Sequence, residues 1–76
     1  MKSIPEILKE IRPEFDFAAS QDFIGDGMLD SFDMVTLVAA LDKNYSISIP
    51  GTEILPENFQ NVAAIETLVR KTGAKI

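Results

Sequence analysis

The chain has 76 residues, with 12 Asp+Glu against 7 Lys+Arg and no His, Cys or Trp. That length fits one small domain over residues 1–76, and the missing His and Cys exclude histidine acid/base catalysis, cysteine nucleophiles, Cys/His zinc sites and disulfides. A formal net charge of −5 is the wrong sign for a nucleic-acid footprint and suits basic protein partners.

No stretch approaches the roughly 20 consecutive apolar residues of a membrane helix, and the opening segment Met1-Lys2-Ser3-Ile4-Pro5-Glu6 lacks the apolar run of a signal peptide. A soluble cytoplasmic protein with no membrane association is expected, and a monomer, since nothing demands oligomerisation. A core of this size rarely supplies more than about 3–5 kcal/mol of net stability, so short, well-capped helices are the expected solution.

Ser3 and Glu6 have the spacing of a capping box, and Ile4, Ile7, Leu8 and Ile11 then line one helical face. The first helix is predicted over about Ile4 to Arg12, stopped by Pro13. Glu14 to Leu29 carries Phe15, Phe17, Phe23 and Ile24 without a sustained period and contains Gly25-Asp26-Gly27; it reads as a long loop that packs its aromatics on the core, and that length is itself a hint of function or of an ordered turn that the pattern does not reveal. The second helix has the strongest signal, with Met34, Leu37, Val38, Leu41 and Tyr45 at helical spacing over about Ser31 to Asn44. Ser46-Ile47-Ser48-Ile49 alternates like a strand but has no partner strand, which makes it an extended connector ended by Pro50-Gly51. A short helical turn is expected over Thr52 to Leu55, limited by Pro56. A last helix begins at Asn61 as cap, buries Val62, Ile65, Leu68 and Val69, and stops at Gly73. The fold class is all-α: a small four-helix bundle of three main helices and one short one.

The informative stretch runs from Gly25 to Val35. Asp30 is placed to cap the second helix with Asp33 three residues on, and Ser31 stands at the helix amino end, where free N–H groups and the helix dipole favour an anion such as a phosphate ester. On local pattern alone, Asp-Ser before an apolar periodic run is most often simply a cap.

Asp30-Ser31-Phe32, after a Gly-containing loop and Leu29, resembles the attachment site of the acyl carrier protein family. The resemblance extends over Phe23 to Val69, through Leu37-Val38-Ala39-Ala40-Leu41, the connector Ile47-Ser48-Ile49-Pro50 and Asn61-Val62-Ala63-Ala64-Ile65. It implies an acyl-carrier-like bundle and no catalytic residues in the chain. It implies that a phosphopantetheinyl transferase moves 4′-phosphopantetheine from coenzyme A onto Ser31, beside Asp30 and Phe32, so that acyl or aminoacyl groups ride as thioesters on a flexible arm. A loading enzyme and downstream synthases or transferases would then be the partners, in biosynthesis of the fatty-acid, polyketide or nonribosomal-peptide type.

The charge pattern agrees with a docking role. Between Arg12 and Lys43 there is no basic residue, while Glu14, Asp16, Asp22, Asp26, Asp30, Asp33 and Asp42 are acidic, a field that steers basic partners. Asp26, Asp33, Val35 and Thr36 are the candidate partner-binding residues. Thr36 and Lys43 depart from the several glutamates usual along this helix in fatty-acid carriers, and Phe32 with Leu55-Pro56-Glu57-Asn58-Phe59 looks more like stand-alone carriers of specialised, often aminoacyl or peptidyl, pathways. Leu37, Leu41, Ile49, Ile54, Val62 and Ile65 are the candidate lining for a sheltered acyl chain. No metal is expected. Two other readings remain: a calcium loop, since Asp22, Asp26, Gly27, Leu29, Asp30 and Asp33 fall on an EF-hand-like register in which Ile24 cannot donate, and an unmodified acidic docking module.

Overall fold

The computed structural model describes residues 2–75, so Met1 of the opening segment lies outside it. Three α-helices form the frame: α1 (Ile4–Ile11), α2 (Ser31–Tyr45) and α3 (Val62–Thr72). Each begins where a side chain satisfies amides that the helix cannot. Ser3 and Glu6 close the expected capping box of α1, with Pro5 in its first turn. Asp30 and Asp33 close a second box on α2, and the Asn61 carboxamide oxygen accepts from the Ala64 amide at 2.8 Å on α3. The helix ends are as local. Arg12 caps α1, Ser46 ends α2 in the left-handed region at φ 55°, and Gly73 ends α3 at φ 122°, a conformation in which a Cβ would be strained.

α1 packs on both α2 and α3. Ile4, Ile7 and Leu8 of α1, Met34, Leu37, Val38 and Leu41 of α2, and Ile65, Leu68 and Val69 of α3 meet in one core. Ile11, Tyr45 and Val62, expected on these faces, pack at its edge. The core owes as much to the connections. Phe17, Phe23, Met28 and Leu29 from the first one, and Ile49 and Phe59 from the second, are also buried.

The connection from residue 12 to residue 30 is therefore not structureless. Phe17–Ala19 forms a 3-10 turn capped by the Asp16 carboxylate, which accepts from the Ala18 amide at 3.2 Å. Phe17 and Phe23 meet edge to face at 5.0 Å, and Phe15 packs on Phe17 at 6.3 Å while staying partly exposed. The Phe23 carbonyl then accepts from the amides of Met28 and Leu29, closing a tight loop through Gly25-Asp26-Gly27. Gly25 lies where a Cβ would meet the Asp22 carboxylate at 2.3 Å, and Gly27 has φ 74°. The closure favours glycine at 27, and a side chain at 25 would displace the Asp22 carboxylate.

The second connection holds no strand among the described residues. Ile49 donates its N–H to the Asp42 carboxylate at 3.0 Å, so the extended segment is pinned to the end of α2. The expected short helix takes the form of two 3-10 turns, Gly51–Glu53 and Pro56–Asn58. Pro56 opens the second turn instead of closing the first, because a fixed φ and a missing N–H cost nothing at a helix start. Asn58 donates to the Glu53 carbonyl at 2.8 Å, and Lys71 pairs with Glu53 at 2.8 Å, tying the connector to α3.

Candidate functional site

Ser31 is the first residue of α2 and is exposed. No hydrogen bond within the described residues occupies its hydroxyl. Its position is set by its neighbours: the Asp30 carboxylate accepts from the Asp33 amide at 2.9 Å, and the Asp33 carboxylate accepts from the Asp30 amide at 3.2 Å. The first turn of α2 is held on both sides of Ser31. That hydroxyl is thus presented to solvent from a fixed backbone, at the positive end of a 15-residue helix.

The tight loop fixes the approach to this turn. The Asp22 carboxylate accepts from the Gly25 amide at 2.9 Å, and Asp26 accepts from the largely buried Ser20 hydroxyl. Phe23 anchors the loop on the far side by donating to the Gln60 carbonyl at 2.6 Å, and Asn61 donates to the Gln21 carbonyl at 3.2 Å. Residues 20–29 thus hang between the start of α2 and the start of α3.

On the exposed side of α2, Phe32 is 84% and Val35 59% exposed, beside Ser31 in sequence and one turn on. Both leave apolar surface open to water on the face of α2 that starts at Ser31. Thr36 is exposed on the same helix and turns its hydroxyl back onto the Phe32 carbonyl at 3.1 Å. Asp26, Asp30, Phe32, Val35 and Thr36 all lie at the surface.

Asp33 does not. It is 8% exposed, and its carboxylate faces Arg12, whose Nε donates to it at 3.0 Å. Its expected role on a docking face gives way to an internal one, since a carboxylate already bonded to a guanidinium and to an amide has little left to offer a partner. Arg12 is the site residue that sequence reasoning missed. It also pairs with Asp30 at 3.7 Å and Glu14 at 3.5 Å. The signal was present as the last base before a run of acids, but the contact spans 21 residues and no local pattern announces it. The Asp33 amide bond, aided by the charge of Arg12, holds the Asp30 carboxyl below its ordinary value, while Asp33 pushes the guanidinium above its own.

The calcium register does not become a ligand set. Asp22 holds the Gly25 amide and Asp26 the Ser20 hydroxyl, while Asp30 and Asp33 turn to each other's amides and to Arg12, and among the described residues no group of three or more acidic side chains could hold a metal ion. Of the candidate cargo-lining residues, Leu37, Leu41 and Ile65 are fully buried and Ile49 nearly so, with Ile54 and Val62 at the core's edge. They form packed interior. A shallow groove of about 360 Å³ lies elsewhere, between α1 and the first connection, lined by Pro5, Lys9, Phe15, Asp16, Phe17 and Ala18. No helix is long and apolar enough to cross a membrane.

Comparison with known proteins agrees with this geometry. Residues 2–69 match the family described as phosphopantetheine attachment site. Aminoacyl carrier protein 1 of Bradyrhizobium diazoefficiens is 44% identical over 41 residues, which cover 54% of this chain and 46% of that protein. The chain is thus matched to about half the length of that relative. No solved structure matches it. An exposed hydroxyl on the first residue of a helix, with its backbone held, fits a phosphate ester, and a match over nearly the whole chain places the protein in the phosphopantetheine-attachment family of acyl carrier proteins, whose members bear a covalent 4′-phosphopantetheine.

Proposed function

We propose that Ser31 is the attachment residue and that the chain carries aminoacyl or acyl groups between partner enzymes. The observation that carries this reading is the exposed Ser31 hydroxyl at the amino end of α2, between two carboxylates that fix its backbone. When bound, the phosphopantetheine supplies a flexible arm ending in a thiol, which bears the cargo as a thioester. The chain has no Cys, so that thiol has no competitor within it.

Ser31 contributes the oxygen that forms the new bond to phosphorus. The bond that breaks is the phosphoanhydride of coenzyme A, leaving adenosine 3′,5′-bisphosphate, and the serine proton passes to a base of the phosphopantetheinyl transferase, since this chain has no His to accept it. Asp26, Phe32, Val35 and Thr36 would form the surface that transferase, loading enzyme and downstream enzymes share. Among the cargo classes, aminoacyl groups fit best. The matched relative is named an aminoacyl carrier, and Leu37, Leu41 and Ile65 fill the interior that a long acyl chain would need. Biosynthesis of the nonribosomal-peptide type, in the cytoplasm and by a monomer, is the corresponding setting, with fatty-acid or polyketide assembly as the second reading.

Intact mass before and after incubation with coenzyme A and a broad-specificity phosphopantetheinyl transferase tests this. Wild type should gain one phosphopantetheine and Ser31→Ala none, with the fold of both intact by circular dichroism. Loading of folded Ser31→Ala, or no gain on folded wild type, refutes the assignment; the second result favours an unmodified docking module.

A further inference from the structure

We propose that Arg12 is a positioning residue for the loading of Ser31. Its guanidinium ties the end of α1 to the two carboxylates flanking that serine. This inference rests on Ser31 being the attachment residue and concerns how the chain presents it.

Arg12 follows the last residue of α1 as its C-cap, its amide still bonded to the Leu8 carbonyl, so the start of its side chain is fixed by the helix end. From there Nε reaches Asp33 at 3.0 Å, Nη2 approaches Asp30 at 3.7 Å and Nη1 approaches Glu14 at 3.5 Å. Asp30 immediately precedes Ser31, and Asp33 follows two residues later. The capping box of α2 is built from two aspartates. Both ends of this box are therefore anionic, and their mutual repulsion works against the geometry that holds Ser31. Arg12 supplies the compensating charge, and it does so from another helix, at a carboxylate only 8% exposed to water, where screening by solvent is weakest.

Loading increases the demand. A phosphodiester on the Ser31 oxygen adds a negative charge between Asp30 and Asp33. With Arg12 in place the two carboxylates and the guanidinium sum to one negative charge; without it the first turn of α2 would hold the new anion beside two unopposed ones.

Two roles of a basic residue near a docking surface predict opposite signs. If Arg12 were merely a surface charge, its removal would make an acidic protein more acidic and strengthen the attraction of a basic transferase, lowering KM. If it positions Ser31, its removal leaves attraction intact and misaligns the attacking hydroxyl, lowering kcat, because small displacements of a reacting atom carry large rate costs.

The experiment measures transferase loading by intact mass over time for the full chain, as wild type, Arg12→Gln, Arg12→Lys and Arg12→Gln/Asp33→Asn. For Arg12→Gln kcat should fall about tenfold with KM unchanged or lower, and Arg12→Lys should recover at least about a third of wild-type kcat, since charge is restored without the planar fork. Adding Asp33→Asn to Arg12→Gln should cost little more, the two acting through one contact. In the unloaded protein, hydrogen exchange of the Phe32, Asp33 and Met34 amides should accelerate in Arg12→Gln while the amides of α3 keep their protection. Lys71→Met, which removes the exposed pair to Glu53, should leave loading unchanged and serves as the control for general destabilisation. Unchanged kcat in folded Arg12→Gln overturns the proposal, as does an equal loss of kcat in Lys71→Met. If Arg12→Gln does not fold, Arg12→Lys decides through the loss of the planar fork: exchange at Phe32–Met34 should quicken and kcat should fall to between about a third of wild type and wild type, and wild-type values of both overturn the proposal. Failure of wild type to load overturns the assignment of Ser31 itself, and that result is distinct from all of these.

Discussion

Replacing Phe23 by leucine tests whether the connection that delivers Ser31 belongs to the core. Phe23 is fully buried, meets Phe17 edge to face at 5.0 Å, and has its amide and carbonyl bonded to Gln60 and to Met28 and Leu29. Leucine keeps the backbone bonds and most of the volume, and loses the ring pair. Such a pair is worth about 0.5–1.5 kcal/mol beyond its buried area, and reshaping a packed site costs about 1 kcal/mol more, giving about 1.5–2.5 kcal/mol in all. For a domain of this size that is a fall in Tm of about 6–20 °C. Phe59 is the internal standard, equally buried but with no ring partner among the described residues, so Phe59→Leu should cost only about 1 kcal/mol. Thermal and urea unfolding followed by circular dichroism measures both. If Phe23→Leu melts with wild type, or costs no more than Phe59→Leu, the connection does not pack as described and the fixed presentation of Ser31 loses its support.

Two further outcomes follow from the same geometry. Asn61→Ala removes the cap of α3 and the bond to the Gln21 carbonyl and should lower stability by about 1–3 kcal/mol; a urea midpoint equal to that of wild type would contradict it. The pH dependence has a definite sign. Asp30, through the Asp33 amide and Arg12, and Glu53, through Lys71, titrate below their ordinary values of 3.8 and 4.5, so between the folded and unfolded values the unfolded chain binds more protons. Their stabilisation is complete above about pH 5 and is lost as pH falls through the lower folded values. The urea midpoint should therefore decline from pH 5 toward pH 3, and a midpoint that is flat or rises over that range refutes the assignment.

The three helix starts were legible because each is a local contract. Ser3, Asp30 and Asn61 bond amides only three residues ahead, within the span that spacing rules see. The buried faces of α1 and α2 were legible in the same way, through the recurrence of Ile4, Ile7 and Leu8 and of Met34, Leu37, Val38 and Leu41. So was the exposure of Phe32 and Val35, which fall off that stripe. Ser31 could be singled out because a serine at a helix start, after a loop rich in glycine and aspartate, sits in a wider pattern spanning most of the chain.

Elsewhere, local reasoning met contacts that are distant in sequence. The aromatic connection gave no period because Phe17 and Phe23 are ordered by each other and by Gln60, not by a helix or strand of their own. Pro56 read as the terminator of the turn before it, yet it opens the turn after, which Asn58 and Lys71 tie back to Glu53.

The letters alone were enough for the three main helices, their amino-terminal caps and their inward faces, since these depend on neighbours within one or two turns, whereas Ser31 stood out as a candidate only through the longer pattern around it. That Asp33 turns inward, that Arg12 crosses from the end of α1 to meet it, and that the loop before Ser31 is tied to the start of α3 follow from packing between distant segments. A charge can be read from its letter, but whether it faces a partner or a buried counter-ion depends on how the packing of α1 against α2 brings together residues 21 apart in sequence.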